Sequence, residues 1–341
     1  MSTISPPLLF RPIREEDLAG LNRLVGTIAD GLTTLPNDPD FLEHRIHDAR
    51  RALDSRIRKP GGETYLFVLE DMENGGIVGT SGLLSRVGGF DPFYTYQLRT
   101  EQRRYEPLQI AVELASLHLL RNHKGPTEIC SLFLHPDYRG GANGKLLSLA
   151  RFCFLKAFPE RFDKDIIAEL RGYIDANGRS PFWEAVGKKF FQKDYYTADI
   201  LSGVGEKEFI EALMPSFPIY MNLLPDSARS VVGKVHPGTE PARKILLREG
   251  FRETDEVDIF DAGPLLRAPR EELRSWKATR TGPAVEGIPG GRVCLLGNGK
   301  LDFRALIAAA EFHPEKGITV EPATLRALDL AEGEELQILD L

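Results

Sequence analysis

The chain has 341 residues, of which 42% are hydrophobic and 27% charged, the balance of a globular protein. This length predicts two domains, or one large domain and a small one. The formal net charge of −7 argues against a general nucleic-acid binder, which would carry a basic excess. The sequence shows neither the apolar core of a signal peptide nor an apolar run of about 18 residues, so we expect a cytoplasmic location.

The three cysteines, Cys130, Cys153 and Cys294, lie far apart and lack the paired spacing of a zinc site. They predict neither a disulfide framework nor a metal centre. Cys130 and Cys153 lie in apolar runs, where a buried and unreactive thiol is expected.

The amino-terminal part predicts a strand, two helices and a hairpin. A strand is expected at 8–13, followed by a helix that begins at 14–17, where three of the four residues are acidic, and by a basic helix at 38–56. Acidic residues are interleaved in the basic helix, which favours a solvated face over an anion-binding surface. Apolar runs at 65–70 and 77–83 flank a Gly/Asn-rich turn and predict an antiparallel hairpin.

A second pair of strands is expected further along. The aromatic run 90–97 contains one acid, Asp91, and the stretch 112–120 is compatible with a strand. The turn 122–127 leads from that strand into an apolar run at 128–134. We therefore expect 112–120 and 128–134 to pair as a second hairpin.

The chain is organised around a strand, a glycine-rich turn and a helix. The strand 128–134 is followed by Gly140, Gly141 and Gly144, and apolar residues then recur at helical spacing over 145–158. Small residues let a ligand approach the backbone, and the N–H groups at a helix N-terminus attract negative charge. This stretch therefore predicts a phosphate-binding turn.

The segments 165–191 and 231–251 share a plan of strand, turn, proline near a helix start, and a glycine closely followed by phenylalanine. Strands are expected at 165–171, 231–235 and 257–260. The shared plan suggests two related half-units within the main domain.

The carboxy-terminal part differs in composition. Gly/Pro-rich chain leads to short strands at 292–296, 317–320 and 335–339, with a short helix before the last. We expect a main domain at 1–265 and a small, mainly β domain at 270–341.

The order of hairpin, strand, turn and helix resembles the GNAT-like acyltransferase fold, an α+β fold with a mixed, largely antiparallel sheet flanked by helices. The acyl-CoA signature of that family, Q/R-x-x-G-x-G/A, corresponds to residues 139–144, with Ala142 in the place of the usual glycine. Alanine has a less permissive backbone than glycine, and the neighbouring glycines offer compensation. The resemblance implies an acyl-CoA site.

Longer blocks resemble the arginine N-succinyltransferase family. Over residues 10–265 they are GLTTLP, FVLED, DPFYTY, EICSLFLHPDYR, NGKLLSLARFCF, AELRGYIDANGRSPFW, VHPGTEPAR, EGF and DIFDAGP. The resemblance implies transfer of a succinyl group from the co-substrate succinyl-CoA to the α-amino group of L-arginine, giving N2-succinyl-L-arginine and CoA in arginine catabolism. It implies no metal, no tightly bound cofactor, and assembly as a homo-oligomer or with a paralogous subunit.

The resemblance also assigns site residues. His236 falls on the family's acid/base histidine, and Leu132 falls on a position implicated in succinyl-CoA binding. Arg179 departs from the small or aromatic residue expected at its position. The full set expected to contact succinyl-CoA is Leu132, Phe133, Arg139, Gly140, Gly141, Ala142, Asn143 and Gly144.

The chemistry of the transfer points to the same kinds of residue. Acylation of an amine requires proton transfer, and a histidine is suited because its usual pKa is about 6.5. His236 and His135, which directly follows the central strand, are the candidates. A backbone N–H near Leu132 or Phe133 is suited to bind the thioester carbonyl.

The substrate charges require partners of opposite sign. Candidates for the guanidinium of arginine are Asp91, Glu169 and Asp175, and candidates for the succinyl carboxylate are Arg171 and Arg179. An ordinary structural role is an equal alternative for each of the five.

Other functions stay open at this point. Succinylation of ornithine or another basic amino acid is the nearest alternative. A non-catalytic acyl-CoA-binding or interaction module would instead use the basic helix and the carboxy-terminal domain as its working surfaces. A nucleic-acid binder has the least support, because the chain is acidic.

Overall fold

The computed structural model describes residues 8–28, 32, 34–203 and 207–341. Gly31 and Thr33 of the GLTTLP block lie outside the described residues. In chain order the strands are β1 (Leu8–Pro12), β2 (Thr64–Asp71), β3 (Ile77–Leu84), β4 (Phe93–Tyr105), β5 (Ile110–Asn122), β6 (Thr127–Leu134), β7 (Asp165–Glu169), β8 (Ile219–Tyr220), β9 (Arg252–Val257), β10 (Pro264–Pro269), β11 (Arg280–Glu286), β12 (Arg292–Gly297), β13 (Ala305–His313), β14 (Gly317–Val320) and β15 (Glu335–Asp340). The α-helices are α1 (Leu18–Val25), α2 (Pro39–Ala52), α3 (Asn143–Ala157), α4 (Pro181–Ala185), α5 (Gly187–Phe191), α6 (Tyr195–Gly203), α7 (Glu208–Leu213), α8 (Asp226–Arg229), α9 (Glu240–Glu249), α10 (Arg274–Ala278) and α11 (Pro322–Leu328).

The chain forms two compact units that are each built from separate segments. The first unit comprises Met1–Arg86, Ile129–Asp165 and Pro269–Leu341. The second comprises Val87–Glu128 and Ile166–Ala268. Both contain helices and strands, as an α+β chain requires.

In the first unit, β1 pairs antiparallel with β2 and with β13. The predicted hairpin is present as β2 and β3, with Thr64 opposite Leu84. The predicted basic helix is α2, which begins where the Asp38 carboxylate accepts the N–H of Phe41 at 3.0 Å and ends at Ala52. Its apolar side packs with α1 and β2 in one buried cluster.

The carboxy-terminal strands β11–β15 belong to this first unit. The three predicted strands are present as β12, β14 and β15, whereas β11 and β13 were not predicted. Phe10 of β1 lies opposite Ala305 of β13, and Leu9 joins the apolar cluster of the carboxy-terminal strands. A domain boundary near residue 270 stays a prediction.

Helix α3 is buried on every side. All ten residues from Leu146 to Leu155 are buried, which is the pattern of a helix enclosed by other elements. The set includes Arg151, whose Nε donates to the Ser148 carbonyl at 3.2 Å. Burial lowers the pKa of Arg151 to about 10.

In the second unit, neighbouring strands follow the order β7, β10, β9, β4, β5 and β8. The predicted pairing of 112–120 with 128–134 is wrong, because β5 pairs with β4 along all 13 residues. A left-handed Gln109, with φ of 53°, closes this hairpin and directs β5 back along β4. The first residues of β6 pair in parallel with β7 instead, with Thr127 opposite Ile166.

Two further strand predictions need correction. Residues 231–235 do not form a strand, since Gly233 has φ of +74° and Val235 makes only an isolated bridge to Gly172. The strand expected at 257–260 ends at Val257 as β9. The Asp258 carboxylate accepts the N–H groups of Phe260 at 2.7 Å and Asp261 at 2.8 Å, and this local turn ends the strand.

Candidate active site

The glycine-rich turn of the first unit depends on two glycines. Gly140 has φ of +114° and Gly141 of +53°, conformations that strain residues with a side chain. A Cβ at either position would have no atom within 4 Å, so the space beside the turn is open. Ala142 has φ of −103°, which any residue adopts. Alanine in the signature therefore causes no strain, because the two preceding glycines take the positive angles.

The turn leads directly into the N-terminus of α3. Ala142 precedes the first helical residue and makes no side-chain cap, so the first N–H groups of the helix have no partner within the helix itself. The exposed Arg139 adds a positive charge, with its Nε donating to the Leu134 carbonyl at 3.2 Å. Helix N–H groups, positive-φ glycines and an arginine together form a setting suited to phosphate.

The central strand is irregular just before the turn. Ser131 has φ of +51°, which reorients the peptide that links it to Leu132. The Thr80 hydroxyl donates to the Ser131 carbonyl at 2.9 Å and fixes that orientation. Leu132 and Phe133 are half-buried rather than part of the closed core.

His236 in the second unit caps a short turn. Its Nδ1 accepts the N–H of Gly238 at 3.1 Å, and its own N–H donates to the Arg171 carbonyl at 2.8 Å. Because Nδ1 accepts, the proton of the neutral ring lies on Nε2. The half-buried imidazole thus presents a donor at Nε2.

His135 in the first unit has a similar turn with a different neighbour. Its Nδ1 accepts the N–H of Asp137 at 3.3 Å and lies 3.7 Å from the Asp137 carboxylate. The Asp137 carboxylate therefore lies beside Nδ1 of His135, whereas Gly238, which occupies the equivalent place beside His236, has no side chain.

Residues of the DIFDAGP run (258–264) hydrogen-bond to the segment that pairs with the residue before His236. One oxygen of the buried Asp261 accepts the Gly172 N–H at 2.8 Å and the Tyr195 hydroxyl at 3.2 Å, and the other accepts the Gly263 N–H at 2.8 Å. A Cβ on Gly263 would lie 2.0 Å from the Leu170 carbonyl. Gly172 bridges to Val235, the residue before His236. Asp261 was not among the predicted site residues, although it lies in a block that carried the resemblance.

A cavity of about 70 Å³ in the second unit is lined by carboxylates and one amine. Glu169, Asp258 and Lys207 contribute the charges, and Tyr94 and Phe260 contribute aromatic walls. The volume is far below that of a pocket for a whole drug-sized ligand, and it matches the end group of a side chain. Asp258 and Lys207 were missed because only the fold brings them near Glu169.

The electrostatics of this cavity are unusual. Burial, and then the charge of Asp258, raise the pKa of Glu169 well above its ordinary range, while Lys207 acts in the opposite direction. Burial and then Asp261 likewise raise the pKa of Asp258. The Glu169 Oε1 atom is shielded from solvent and has no hydrogen-bond partner among the described residues. A cation placed here would meet an oxygen with unused hydrogen-bonding capacity.

The other predicted substrate residues lie in different settings. Asp175 accepts the N–H groups of Asn177 at 2.8 Å and Arg179 at 3.0 Å, which lowers its pKa and fixes a local turn. Arg179 and Asp91 are exposed, and Asp91 precedes Pro92 at the cavity wall. Arg171 meets His236 through its backbone.

A larger cleft lies elsewhere, in the first unit. Its volume is about 880 Å³, and none of the predicted site residues lines it. Arg14, Arg50 and Arg51 face the carboxylates of Glu15, Glu16, Asp54 and Asp302 across it. The charges nearly balance, which agrees with a solvated face on the basic helix.

Within the part of the chain that the structure describes, no group of three or more His, Cys, Asp or Glu side chains is arranged to hold a metal ion. None of the described helices is long and apolar enough to cross a membrane.

Known proteins resemble the chain along its whole length. Arginine N-succinyltransferase subunit beta of Pseudomonas aeruginosa is 40% identical over 336 residues, with 98% of each chain covered. Arginine N-succinyltransferase of Enterobacter sp. is 39% identical over 338 residues, again with 98% of each covered. The solved structure of arginine/ornithine succinyltransferase subunit AI from Pseudomonas aeruginosa has a TM-score of 0.90 at 33% identity, covering 98% of this chain and 99% of that one.

Two family models also match. One describes the arginine N-succinyltransferase beta subunit and matches residues 8–275. The other describes the C-terminal domain of that subunit and matches residues 274–340. The resemblance seen in the sequence blocks is confirmed, and the chain belongs to the arginine N-succinyltransferase beta subunit family of acyltransferases.

Proposed function

We propose that the protein transfers a succinyl group from succinyl-CoA to the α-amino group of L-arginine, giving N2-succinyl-L-arginine and CoA. Family membership supports the reaction, as do the activities for which relatives that match over 98% of the chain are named. The geometric observation that carries the proposal is His236, whose Nδ1 is occupied by the Gly238 N–H so that Nε2 bears the ring proton and can donate a hydrogen bond.

The proposed chemistry is a direct acyl transfer. The free α-amine attacks the thioester carbonyl, a tetrahedral intermediate forms, and the carbon–sulfur bond then breaks. His236 Nε2–H donates a hydrogen bond to the sulfur as the carbon–sulfur bond breaks, and the proton that the amine nitrogen loses ends on the leaving thiolate, which becomes the thiol of CoA. The ammonium form of the substrate carries one proton more than the amide and thiol products require, so one proton is released to solvent per turnover.

We assign donor binding to the first unit. The turn 139–144 and the N-terminus of α3 hold the phosphates of succinyl-CoA, with Arg139 adding charge. The reoriented peptide before Leu132 presents backbone N–H to the thioester carbonyl, where negative charge develops. The strand–turn–helix arrangement supports a GNAT-like fold for this region, and no cofactor beyond the co-substrate is required.

We assign the guanidinium of arginine to the cavity of Glu169 and Asp258 in the second unit. The unpaired Glu169 Oε1 and the shielding of both carboxylates favour a planar cation. Asp175 is not assigned to the guanidinium, because its Oδ1 already accepts two backbone N–H groups in its own turn. The exposed Asp91 and Arg179, and Arg171, are further candidates for the charged groups of the two substrates.

Assembly and location belong to the same proposal. Two of the relatives are named as subunits, which supports an oligomer of identical chains or a pairing with a paralogous subunit. The expected cytoplasmic location and the separate domain at 270–341 stay predictions.

The test is an assay of CoA release with purified full-length protein, comparing succinyl-CoA with acetyl-CoA and arginine with ornithine and lysine. We expect the highest kcat/KM with succinyl-CoA and arginine. Ornithine is the second candidate acceptor, because one structural relative is described as an arginine/ornithine enzyme. Equal or higher kcat/KM with ornithine would replace arginine as the proposed acceptor, and no release with any amine would favour a non-catalytic module.

A further inference from the structure

The β4–β5 hairpin extends beyond the sheet of the second unit. Pairing of β4 with β9 covers Tyr96 and Gln97, and pairing of β5 with β8 covers Ser116 and Leu117. Beyond these points the two strands pair with each other, and every residue from 99 to 113 is exposed. We call residues 99–114 the ribbon. A two-stranded ribbon without support is marginally stable in water, so its retention calls for a partner.

One face of the ribbon carries a row of apolar side chains beside a row of charged ones. Tyr105 lies opposite Ile110, Arg103 opposite Val112, and Glu101 opposite Leu114. Residues directly opposite in an antiparallel pair share a face, and the next pair points to the other side. Ile110, Val112 and Leu114 therefore form one apolar row, with Tyr105 at its end. We call this the ribbon face.

The ribbon face cannot be covered by the core of its own unit. Leu98 and Leu117 are opposite each other and belong to the apolar cluster of the second unit, so they mark the inward face. Arg99 and Ser116, one pair further, lie on the other face, and the apolar row continues from that pair. The register thus directs the apolar row away from the unit's own core.

Neighbouring side chains enlarge the surface. Tyr220 lies opposite Ser116 and so shares the ribbon face. The side-chain amide of Asn222 accepts the Ala115 N–H at 3.2 Å and donates to the Glu113 carbonyl at 3.1 Å, which holds Leu223 beside the same strand. Leu223 is 83% exposed and Tyr105 57% exposed. Surfaces of this kind mark interaction sites.

The area suits a protein partner. Seven large apolar side chains of these two segments are exposed, out of fifteen in the described chain: Tyr105, Leu108, Ile110, Val112, Phe217, Tyr220 and Leu223. Their exposed portions, which include Leu108 in the turn of the ribbon and Phe217 ahead of β8, amount to roughly 800 Å², about what each partner contributes to a standard stable interface.

The charges indicate which partner. The ribbon has three arginines and three glutamates, so it is neutral, whereas the whole chain has a net charge of −7. A second ribbon is therefore not repelled. Glu101 and Arg103 occupy successive positions on the ribbon face and already form an exposed ion pair at 3.1 Å. A two-fold axis between them would place Arg103 of one copy beside Glu101 of the other, as a self-complementary interface requires.

We propose that the ribbon is a docking arm whose apolar face packs against the same face of a second copy of this chain about a two-fold axis. The proposal rests on the oligomeric assembly proposed above and names its surface and partner. It assigns no catalytic role to the ribbon, so assays of succinyl transfer test the reaction independently of it.

The test compares two neighbouring substitutions on one strand, Val112→Glu on the ribbon face and Ala111→Glu on the opposite face. Molar mass of the full-length protein is measured by light scattering and sedimentation over about 1–100 μM. We expect a dimer for the parent and for Ala111→Glu, and a dissociation constant at least tenfold higher for Val112→Glu. Circular dichroism checks that both variants are folded.

A charge reversal gives a second test that does not depend on apolar packing. Arg103→Glu alone should weaken the dimer, and the pair Arg103→Glu with Glu101→Arg should restore it. A monomeric parent over the whole concentration range would overturn the proposal. So would a dimer that Val112→Glu leaves intact, or a requirement for a different subunit before any larger species forms.

Discussion

The candidate functional groups of the first unit belong to the backbone, whereas those of the second unit belong to side chains. At residues 139–144 the chemistry comes from the φ angles of Gly140 and Gly141 and from helix N–H groups. In the second unit it comes from an imidazole nitrogen and from shielded carboxylates. Substrate binding and turnover should therefore be sensitive to substitutions that alter backbone conformation in the first unit. In the second unit they should be sensitive to substitutions that replace a chemical group and keep the shape of the side chain.

The largest effect is expected at His236. His236→Asn retains an acceptor close to Nδ1 for the Gly238 N–H and removes the Nε2 proton, so kcat should fall by about 10²–10⁴-fold with the fold preserved. The matched variant is His135→Asn, in the similar turn of the first unit. Steady-state kinetics of both variants provide the measurement. An equal fall in kcat in the two variants would contradict the assignment of the catalytic role to His236 alone.

A smaller effect is expected at the carboxylate cavity. Glu169→Gln keeps the shape and removes the charge, so KM for arginine should rise about 10–100-fold with KM for succinyl-CoA nearly unchanged. The raised pKa of Glu169 means that its carboxyl group must lose a proton before it can bind a guanidinium as a carboxylate. The KM of the parent protein for arginine should therefore fall as pH rises. Asp175→Asn is the matched control, expected to leave KM for arginine within about twofold. An unchanged KM in Glu169→Gln would remove this cavity from substrate binding.

The glycine turn should show the complementary behaviour. Gly140→Ala adds one methyl group into open space but strains the backbone by about 1–2 kcal/mol, so KM for succinyl-CoA should rise about tenfold. Ala142→Gly should change KM less than twofold, because position 142 has no need of a positive φ. If both variants behaved alike, the turn would not depend on backbone angles.

The smallest effect concerns stability against pH. The folded pKa of Glu169 is raised, so the native state holds its proton where the unfolded chain has lost it, and its stability falls as pH rises through that window. Glu169→Gln should therefore gain stability relative to the parent as pH rises above the ordinary glutamate range, by a few degrees in Tm. Asp175→Asn should instead lose stability by a constant amount above about pH 5, since the pKa of Asp175 is lowered and its contribution is lost only as pH falls below that range. Calorimetry as a function of pH would contradict the argument if the Glu169→Gln difference were flat.

Much of the first unit's site could be predicted, because its signals are local. The strand, the glycines and the apolar helix follow one another within about thirty residues, and strand β6 and helix α3 are found where expected. The positive φ angles of Gly140 and Gly141 could not be predicted, because glycine adopts either sign of φ with similar ease.

The second unit was less predictable, because its contacts are distant in sequence. Nothing in the polar second half of β4 indicates that it pairs with β5, and the expected pairing with the next apolar run was wrong. Glu169 was a candidate, but its neighbour Asp258 comes near only through the strand order β7, β10 and β9. The raised pKa values follow from burial, which residue types alone do not reveal.

The Asn222 amide has a consequence for the behaviour of the protein in concentrated solution. By satisfying one N–H and one carbonyl on the edge of β5, it occupies hydrogen-bonding positions to which a strand from another molecule could add. Contacts through the face of the ribbon close after two copies, whereas contacts through a bare edge could continue without limit. Asn222 thus disfavours the addition of a further strand at this part of the edge, and Asn222→Ala should increase turbidity on storage.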